Sequence, residues 1–192
     1  MQLQQTVKKS YLFEGKGLHT GKIAKMVINP APVDTGIRFR RTDIGEDAIV
    51  EALAENVSST ARSTTVACGE ASVSTIEHVL SALTGMGVDN ALIDIDNVEV
   101  PILDGSAKPY IDAMWKDGFE VQDSPRRYIE LKETVEIRNE EKGSVVRIEP
   151  AEDFSYEIKI DFNSRVLGIQ HAAWDESVVY AEEIGTCRTF VF

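Results

Sequence analysis

Apolar and polar residues alternate over much of the chain with a period of two, which predicts half-buried strands at Thr6 to Phe13, Lys25 to Asn29, Gly36 to Arg40, Ser63 to Cys68 and Asn90 to Ile95. Two segments break that period. From about Thr75 to Leu83, the residues Ile76, Val79, Leu80 and Leu83 fall at helical spacing, and Gly85 and Gly87 follow as stop signals. From about Pro109 to Lys116, Ile111, Met114 and Trp115 gather on one side of a second helix. After Gly118, the polar run Glu120-Val-Gln-Asp-Ser-Pro125 reads as a linker closed by proline. Strand patterns resume at Tyr128 to Ile137, Ser144 to Glu149 and Tyr156 to Phe162; Asp175 to Glu183 reads as a helix, and Cys187 to Phe192 as a strand entering the core.

The second half repeats a feature of the first. Met26-Val-Ile-Asn-Pro30-Ala31 followed by Gly36-Ile-Arg-Phe39 has a counterpart in Val146-Arg-Ile-Glu-Pro150-Ala151 followed by Glu157-Ile-Lys-Ile160. In both, an alternating strand ends at Pro-Ala and a second alternating strand follows a short polar loop, as in a hairpin. The expected organisation is therefore α+β: two related domains from an internal duplication, each a sheet packed with helices. The first spans 1–119 and a linker 120–125; the second spans 126–192, with one helical segment where the first has two.

Composition narrows the class. The chain of 192 residues has 43% hydrophobic residues, no apolar run long enough to span a membrane, and an N-terminus without a signal-peptide core, so a soluble, cytoplasmic protein without stable membrane insertion is expected. A net charge of -12 argues against nucleic acid as a partner, because a phosphate-neutralising face needs clustered cations. Arg40-Arg41 and Arg126-Arg127 are the adjacent arginine pairs, and each reads as a solvated strand end before it reads as a phosphate site. Cys68 and Cys187, without CxxC spacing, are expected as reduced, buried small residues.

Metal and acid-base chemistry draw on histidine, and there are three: His19, His78 and His171. The adjacent Glu77-His78 pair offers an imidazole ligand beside a carboxylate that could take a proton from a metal-bound water. It also has a plainer use, since Ser74-Thr-Ile-Glu77 has the spacing of a capping box, the commoner role of such a quartet at a helix start. The fourth residue after His78 is Ala82, so HExxH is absent and further ligands must come from elsewhere. Gly15-Lys-Gly17-Leu-His19-Thr-Gly21 fits neither a dinucleotide nor a Walker spacing and reads as a tight turn between strands. Asp104-Gly-Ser106 reads as a turn leading into a helix.

Taken together, Gly17-Leu-His-Thr-Gly21, Pro30-Ala-Pro32 with Thr35-Gly36, Arg40-Arg-Thr-Asp43, Ser74-Thr-Ile-Glu-His78, Pro101-Ile-Leu-Asp-Gly-Ser-Ala107, Lys132-Glu-Thr-Val135, Ile160-Asp-Phe162 and Arg188-Thr-Phe190 resemble the UDP-3-O-acyl-N-acetylglucosamine deacetylases, the zinc amidases of lipid A biosynthesis. The likeness covers essentially the whole chain. It implies a two-domain α+β fold with Glu77 as general base, His78 as a metal ligand and Thr189 as a hydroxyl at the tetrahedral oxyanion. Phe190 and Phe192 would lie near the sugar and acyl chain, and Thr60, Arg62 and Ser63 would border the metal, although Ala61 and Arg62 depart from the larger apolar residues of relatives.

The implied cofactor is Zn2+, with Fe2+ as the alternative, and the implied substrate is UDP-3-O-acyl-N-acetylglucosamine. Some relatives carry a fused hydroxyacyl-acyl-carrier-protein dehydratase downstream. The family's second and third metal ligands come from a His-Lys-x-x-Asp helix, which does not occur here, nor does the acyl-passage insert after the Arg-Thr-Phe strand. These absences lead to the expectation that the 192-residue chain alone is inactive and binds metal weakly, as the N-terminal portion of an enzyme. A catalytically inactive nucleotide-sugar-binding or regulatory module of the same fold is the other reading.

Overall fold

The computed structural model describes residues 2–141, 143–161, 163–175 and 177–189, with only the backbone of Ser144. Two compact units result: one comprises the residues up to Arg126 together with those from Tyr180 onward, the other Arg127–Val179. The fold is α+β, as expected.

The first unit is built from ten strands and two main helices in the order β1 (Leu3–Val7), β2 (Tyr11–Lys16), β3 (Ile23–Pro30), β4 (Ile37–Arg41), β5 (Ile49–Glu51), β6 (Val57–Ser59), β7 (Thr65–Cys68), β8 (Ala71–Ser74), α1 (Glu77–Gly85), β9 (Ala91–Ile95), α2 (Lys108–Trp115) and β10 (Phe119–Pro125). A five-stranded sheet runs β2-β3-β9-β4-β5, a three-stranded sheet runs β6-β7-β8, and β1 pairs with β10. Alternation places Ala24, Met26 and Ile28 of β3 and Ala91, Ile93 and Ile95 of β9 in one core, with Phe39 of β4 beside Ile93 on the far side of β9. Val79, Ala82 and Leu83 of α1 and Tyr110, Ile111 and Met114 of α2 close that core. The Phe13 ring meets Tyr110 edge-on at 4.8 Å between centroids, which fixes α2 on the sheet.

Three expectations change here. The strands at 26–31 and 36–39 do not form a hairpin: β9 lies between them, antiparallel to β3 and parallel to β4. Alternation identifies a strand but not its neighbour, and β9 arrives from about sixty residues away. The linker expected over 120–125 is strand β10, antiparallel to β1. Glu120 and Asp123 face water, but Gln122 turns inward to satisfy a buried amide: Asn90 Nδ2 donates to Gln4 Oε1 and Gln122 Oε1, each at 2.8 Å, and Gln122 Nε2 donates to the Ala31 carbonyl at 2.8 Å. Arg40, Arg41 and Arg126 are not solvated strand ends either, whereas Arg127 is exposed. Arg40 holds Asp94 through two bonds, Arg41 is 5% exposed and holds Asp43 and the Ser72 carbonyl, and Arg126 grips Asp89 and the Gly87 carbonyl. Each guanidinium answers a carboxylate of its own unit.

The second unit contains two hairpins, β11 (Val135–Asn139) with β12 (Ser144–Ile148) and β13 (Tyr156–Asp161) with β14 (Ile169–Trp174). As in the first unit, the two strands of the sequence repeat, here β12 and β13, are not each other's partners. The described strands make two separate hairpins where the first unit has a five-stranded sheet, so the repeat does not extend to matching sheets. The segment from Tyr128 is strand only from Val135, and the helix expected over Asp175 to Glu183 is confined to α3 (Tyr180–Glu183). Asp175 instead accepts the Ser177 amide at 2.8 Å, a local turn that delays the helix. Residues 187–189 form no strand, and Phe190 and Phe192 lie outside the described residues. Cys68 and Cys187 are free thiols but exposed, not buried.

Candidate active site

Glu77 and His78 open helix α1, and the way the chain enters that helix decides what Glu77 can do. The capping box does not form. Helix α1 begins at Glu77 itself, with Ile76 before it and no side-chain cap, so Ser74 stands too early to cap it. Ser74 belongs to β8; its hydroxyl and amide both donate to the Val98 carbonyl, at 3.2 and 2.8 Å. Between strand and helix, Thr75 adopts φ 58, a left-handed conformation unusual for a β-branched residue. This sharp reversal sends Ile76 into the core at 1% exposure and leaves Glu77 and His78 half-buried at its margin.

Released from capping, a Glu77 carboxylate oxygen accepts the Thr64 amide at 3.1 Å. That bond brings the loop between β6 and β7 to the carboxylate. Thr60 and Arg62 of this loop are exposed, Arg62 at φ 63, and Ser63 is half-buried. Burial pushes the His78 imidazole below its ordinary value of 6.5, against the opposing pull of the Glu77 and Asp104 carboxylates. A neutral imidazole is the form that can ligate a metal.

Asp104 lies in the turn before α2. Its Oδ1 accepts the Ser106 amide at 3.0 Å and the Ser106 hydroxyl at 2.7 Å, and that hydroxyl accepts the Lys108 amide at 3.1 Å, so the expected turn into a helix is present. The same turn receives the segment from Tyr180 onward. The Thr189 amide donates to the Gly105 carbonyl at 2.8 Å, and Arg188 reaches Asp104 at 3.5 Å. At the other end of that segment, the Tyr180 ring lies on Gly85 of α1 and its hydroxyl bonds to Ser81. The structure thus ties the Thr60–Ser63 loop to Glu77 and the Thr189 segment to the Asp104 turn, whose carboxylate acts on His78.

The other two histidines stand apart from this pair. His19 is exposed in the turn between β2 and β3, where Gly17 and Gly21 close on each other, and His171 pairs with Glu157 at 2.8 Å in the second unit. Sequence reasoning missed Glu99, a carboxylate 1% exposed. Burial pushes its carboxyl up, but the His19 amide and Thr20, through its hydroxyl and amide, together with the Thr75 hydroxyl, outweigh that and hold it below its ordinary value of 4.5. The only sequence signal for it was an acid between two valines ahead of Pro101.

A zinc centre ordinarily uses three or four protein ligands. Among the described residues no three His, Cys, Asp or Glu side chains converge as a metal-holding group. These residues therefore do not by themselves fit a zinc centre; they offer the single imidazole of His78. No described helix is long and apolar enough to cross a membrane.

The fold and this margin define an α+β protein with a half-buried Glu-His pair at the start of a helix, faced by a polar loop. Residues 4–192 match the family model of LpxC, UDP-3-O-acyl N-acetylglycosamine deacetylase, and the chain belongs to that family. It is 42% identical over 192 residues to the bifunctional enzyme LpxC/FabZ of Porphyromonas gingivalis, covering 100% of this chain and 42% of that protein. It is 44% identical over 190 residues to the UDP-3-O-acyl-N-acetylglucosamine deacetylase of Helicobacter hepaticus and 40% identical over 192 residues to that of Thioalkalivibrio sulfidiphilus, in each case covering 98% of this chain and 62% of the relative. The chain thus spans between 42% and 62% of the length of these curated relatives.

Proposed function

We propose that the protein to which this chain belongs hydrolyses the N-acetyl group of UDP-3-O-acyl-N-acetylglucosamine, an early step of lipid A biosynthesis, with Glu77 as general base. The observation that carries this reading is the carboxylate of Glu77, freed from helix capping and held by the Thr64 amide beside a half-buried His78. The substrate is taken from the names of the relatives.

Glu77 takes a proton from water as its oxygen adds to the acetamide carbon; the C–N bond then breaks, acetate leaves, and the sugar nitrogen gains a proton to become the free amine. The Thr64 amide orients the carboxylate for that transfer. Thr189, anchored through its backbone on Gly105, offers its hydroxyl to the developing oxyanion. Thr60, Arg62 and Ser63 border the substrate from the loop that reaches Glu77, and Phe190 and Phe192 are assigned to the sugar and acyl chain. His78 is assigned as one ligand of Zn2+, or of Fe2+ in its place, whose remaining ligands are sought in a His-Lys-x-x-Asp helix of the longer protein. A cytoplasmic location belongs to the same reading. So does a fused hydroxyacyl-acyl-carrier-protein dehydratase, in line with the double name of the Porphyromonas gingivalis relative.

Zinc content and acetate release, measured on the 192-residue chain and on the longer protein, test the assignment. Turnover with stoichiometric zinc in the longer protein, and neither in the chain, is the expected result. Stoichiometric, tightly held zinc in the chain alone would show that the ligand set is wrong.

A further inference from the structure

We propose that Glu99 is a positioning residue for Glu77, acting by clamping Thr75 in the left-handed conformation from which helix α1 starts. The inference rests on the reading of Glu77 as base and extends it to a residue that touches no reacting atom.

Among the described residues, the hydrogen bonds of the buried Glu99 carboxylate go to no cationic group. Its Oε1 accepts the Thr75 hydroxyl at 3.0 Å and the His19 amide at 2.9 Å, and its Oε2 accepts the Thr20 amide at 2.7 Å. Both carboxylate oxygens are therefore committed to the turn between β2 and β3 on one side and to Thr75 on the other. The backbone is held in the same place: Ser74 bridges Glu99 in parallel, and the Val100 amide donates to the Ser74 carbonyl at 3.1 Å. Gly17 makes room for the carboxylate, since a Cβ there would collide with it and with the Thr20 hydroxyl.

These contacts converge on Thr75, the one β-branched residue at positive φ among the described residues. A threonine at φ 58 persists only where its surroundings over-determine it. Released, Thr75 would return to negative φ, and Ile76 and Glu77 would turn with it. The carboxylate would then leave the Thr64 amide. Displacements of about an ångström at a reacting group can cost on the order of 100-fold in rate.

The test uses the longer protein, in wild type, Glu99→Gln, and Glu99→Gln combined with Thr75→Gly. Glutamine keeps the shape but turns an NH2 group toward donors, whereas glycine at 75 adopts positive φ without a clamp. Two readouts are taken: kcat and KM for deacetylation, and hydrogen exchange of the Thr64 amide, which reports the Glu77 contact even if turnover is absent. Expected are a fall in kcat of about 10- to 100-fold with KM little changed and faster Thr64 exchange in Glu99→Gln, both reversed by Thr75→Gly. Unchanged kcat and exchange in Glu99→Gln, or losses that Thr75→Gly does not reverse, would overturn the proposal. Should Glu99→Gln not fold, Thr75→Ala against Thr75→Gly decides: slower turnover and weaker Thr64 protection in alanine than in glycine support the clamp, and equal values overturn it. Absence of acetate release in the wild type would sink the deacetylase reading alone, leaving the clamp to be judged by Thr64 exchange.

Discussion

Adding one methyl group at Gly85 tests how the segment carrying Thr189 is held. Gly85 closes helix α1, and a Cβ built there would run into three carbons of the Tyr180 ring. Two effects oppose each other. Alanine is favoured over glycine in a helix by about 1 kcal/mol, whereas forcing an extra methyl into a packed contact costs about 1–3 kcal/mol. The net destabilisation is about 1 kcal/mol, or roughly 2–4 °C in Tm for a chain of this size. The ring must move, and with it the Ser81 bond that fixes Tyr180 and the start of the segment ending at Thr189. Thermal denaturation of Gly85→Ala, Tyr180→Ala and the double variant is the assay, together with hydrogen exchange of the Thr189 amide, which is bonded to Gly105. In the Tyr180→Ala background the same methyl should be neutral or stabilising, so the two changes should couple by about 1 kcal/mol or more. If Gly85→Ala raises Tm equally in both backgrounds and leaves Thr189 protection unchanged, the reasoning is refuted.

Two further predictions concern the frame. Arg126→Ala removes the grip on Asp89 and on the Gly87 carbonyl at the end of β10 and should lower stability by about 1.5–3 kcal/mol, read from the urea midpoint. Glu99 should contribute stability that depends on pH in a known direction. A carboxyl held below its ordinary value when folded stabilises above the unfolded value, here 4.5, and loses that contribution as pH falls through the folded value. The stability gap between wild type and Glu99→Gln should therefore be full near neutrality and narrow as the pH drops below about 4.5; a gap constant across that range would contradict it.

Strand existence was legible because period-two burial in β3 and β9 is written directly in Ala24, Met26, Ile28, Ala91, Ile93 and Ile95. Strand neighbours were not, since insertion of β9 between β3 and β4 depends on contacts distant in sequence. Polar composition misled at 120–125 because Gln122 looks the same whether it faces water or the buried amide of Asn90. The Glu77-His78 pair stood out through the scarcity of histidine, but its capping-box spacing promised a cap that the reversal at Thr75 prevents. Glu99 was hidden for a different reason: its partners are two backbone amides and the hydroxyls of two threonines distant in sequence, and backbone donors leave no mark in a sequence.

In the proposed function Glu77 serves chemistry and not the helix start, and Glu77→Gln in the longer protein tests this most directly. Glutamine retains an oxygen for the Thr64 amide, so the fold, Tm and metal content should be kept while acetate release falls by about 10²- to 10⁴-fold. Turnover close to wild type, or a loss of turnover that merely follows a loss of folded protein, would contradict the role assigned to Glu77.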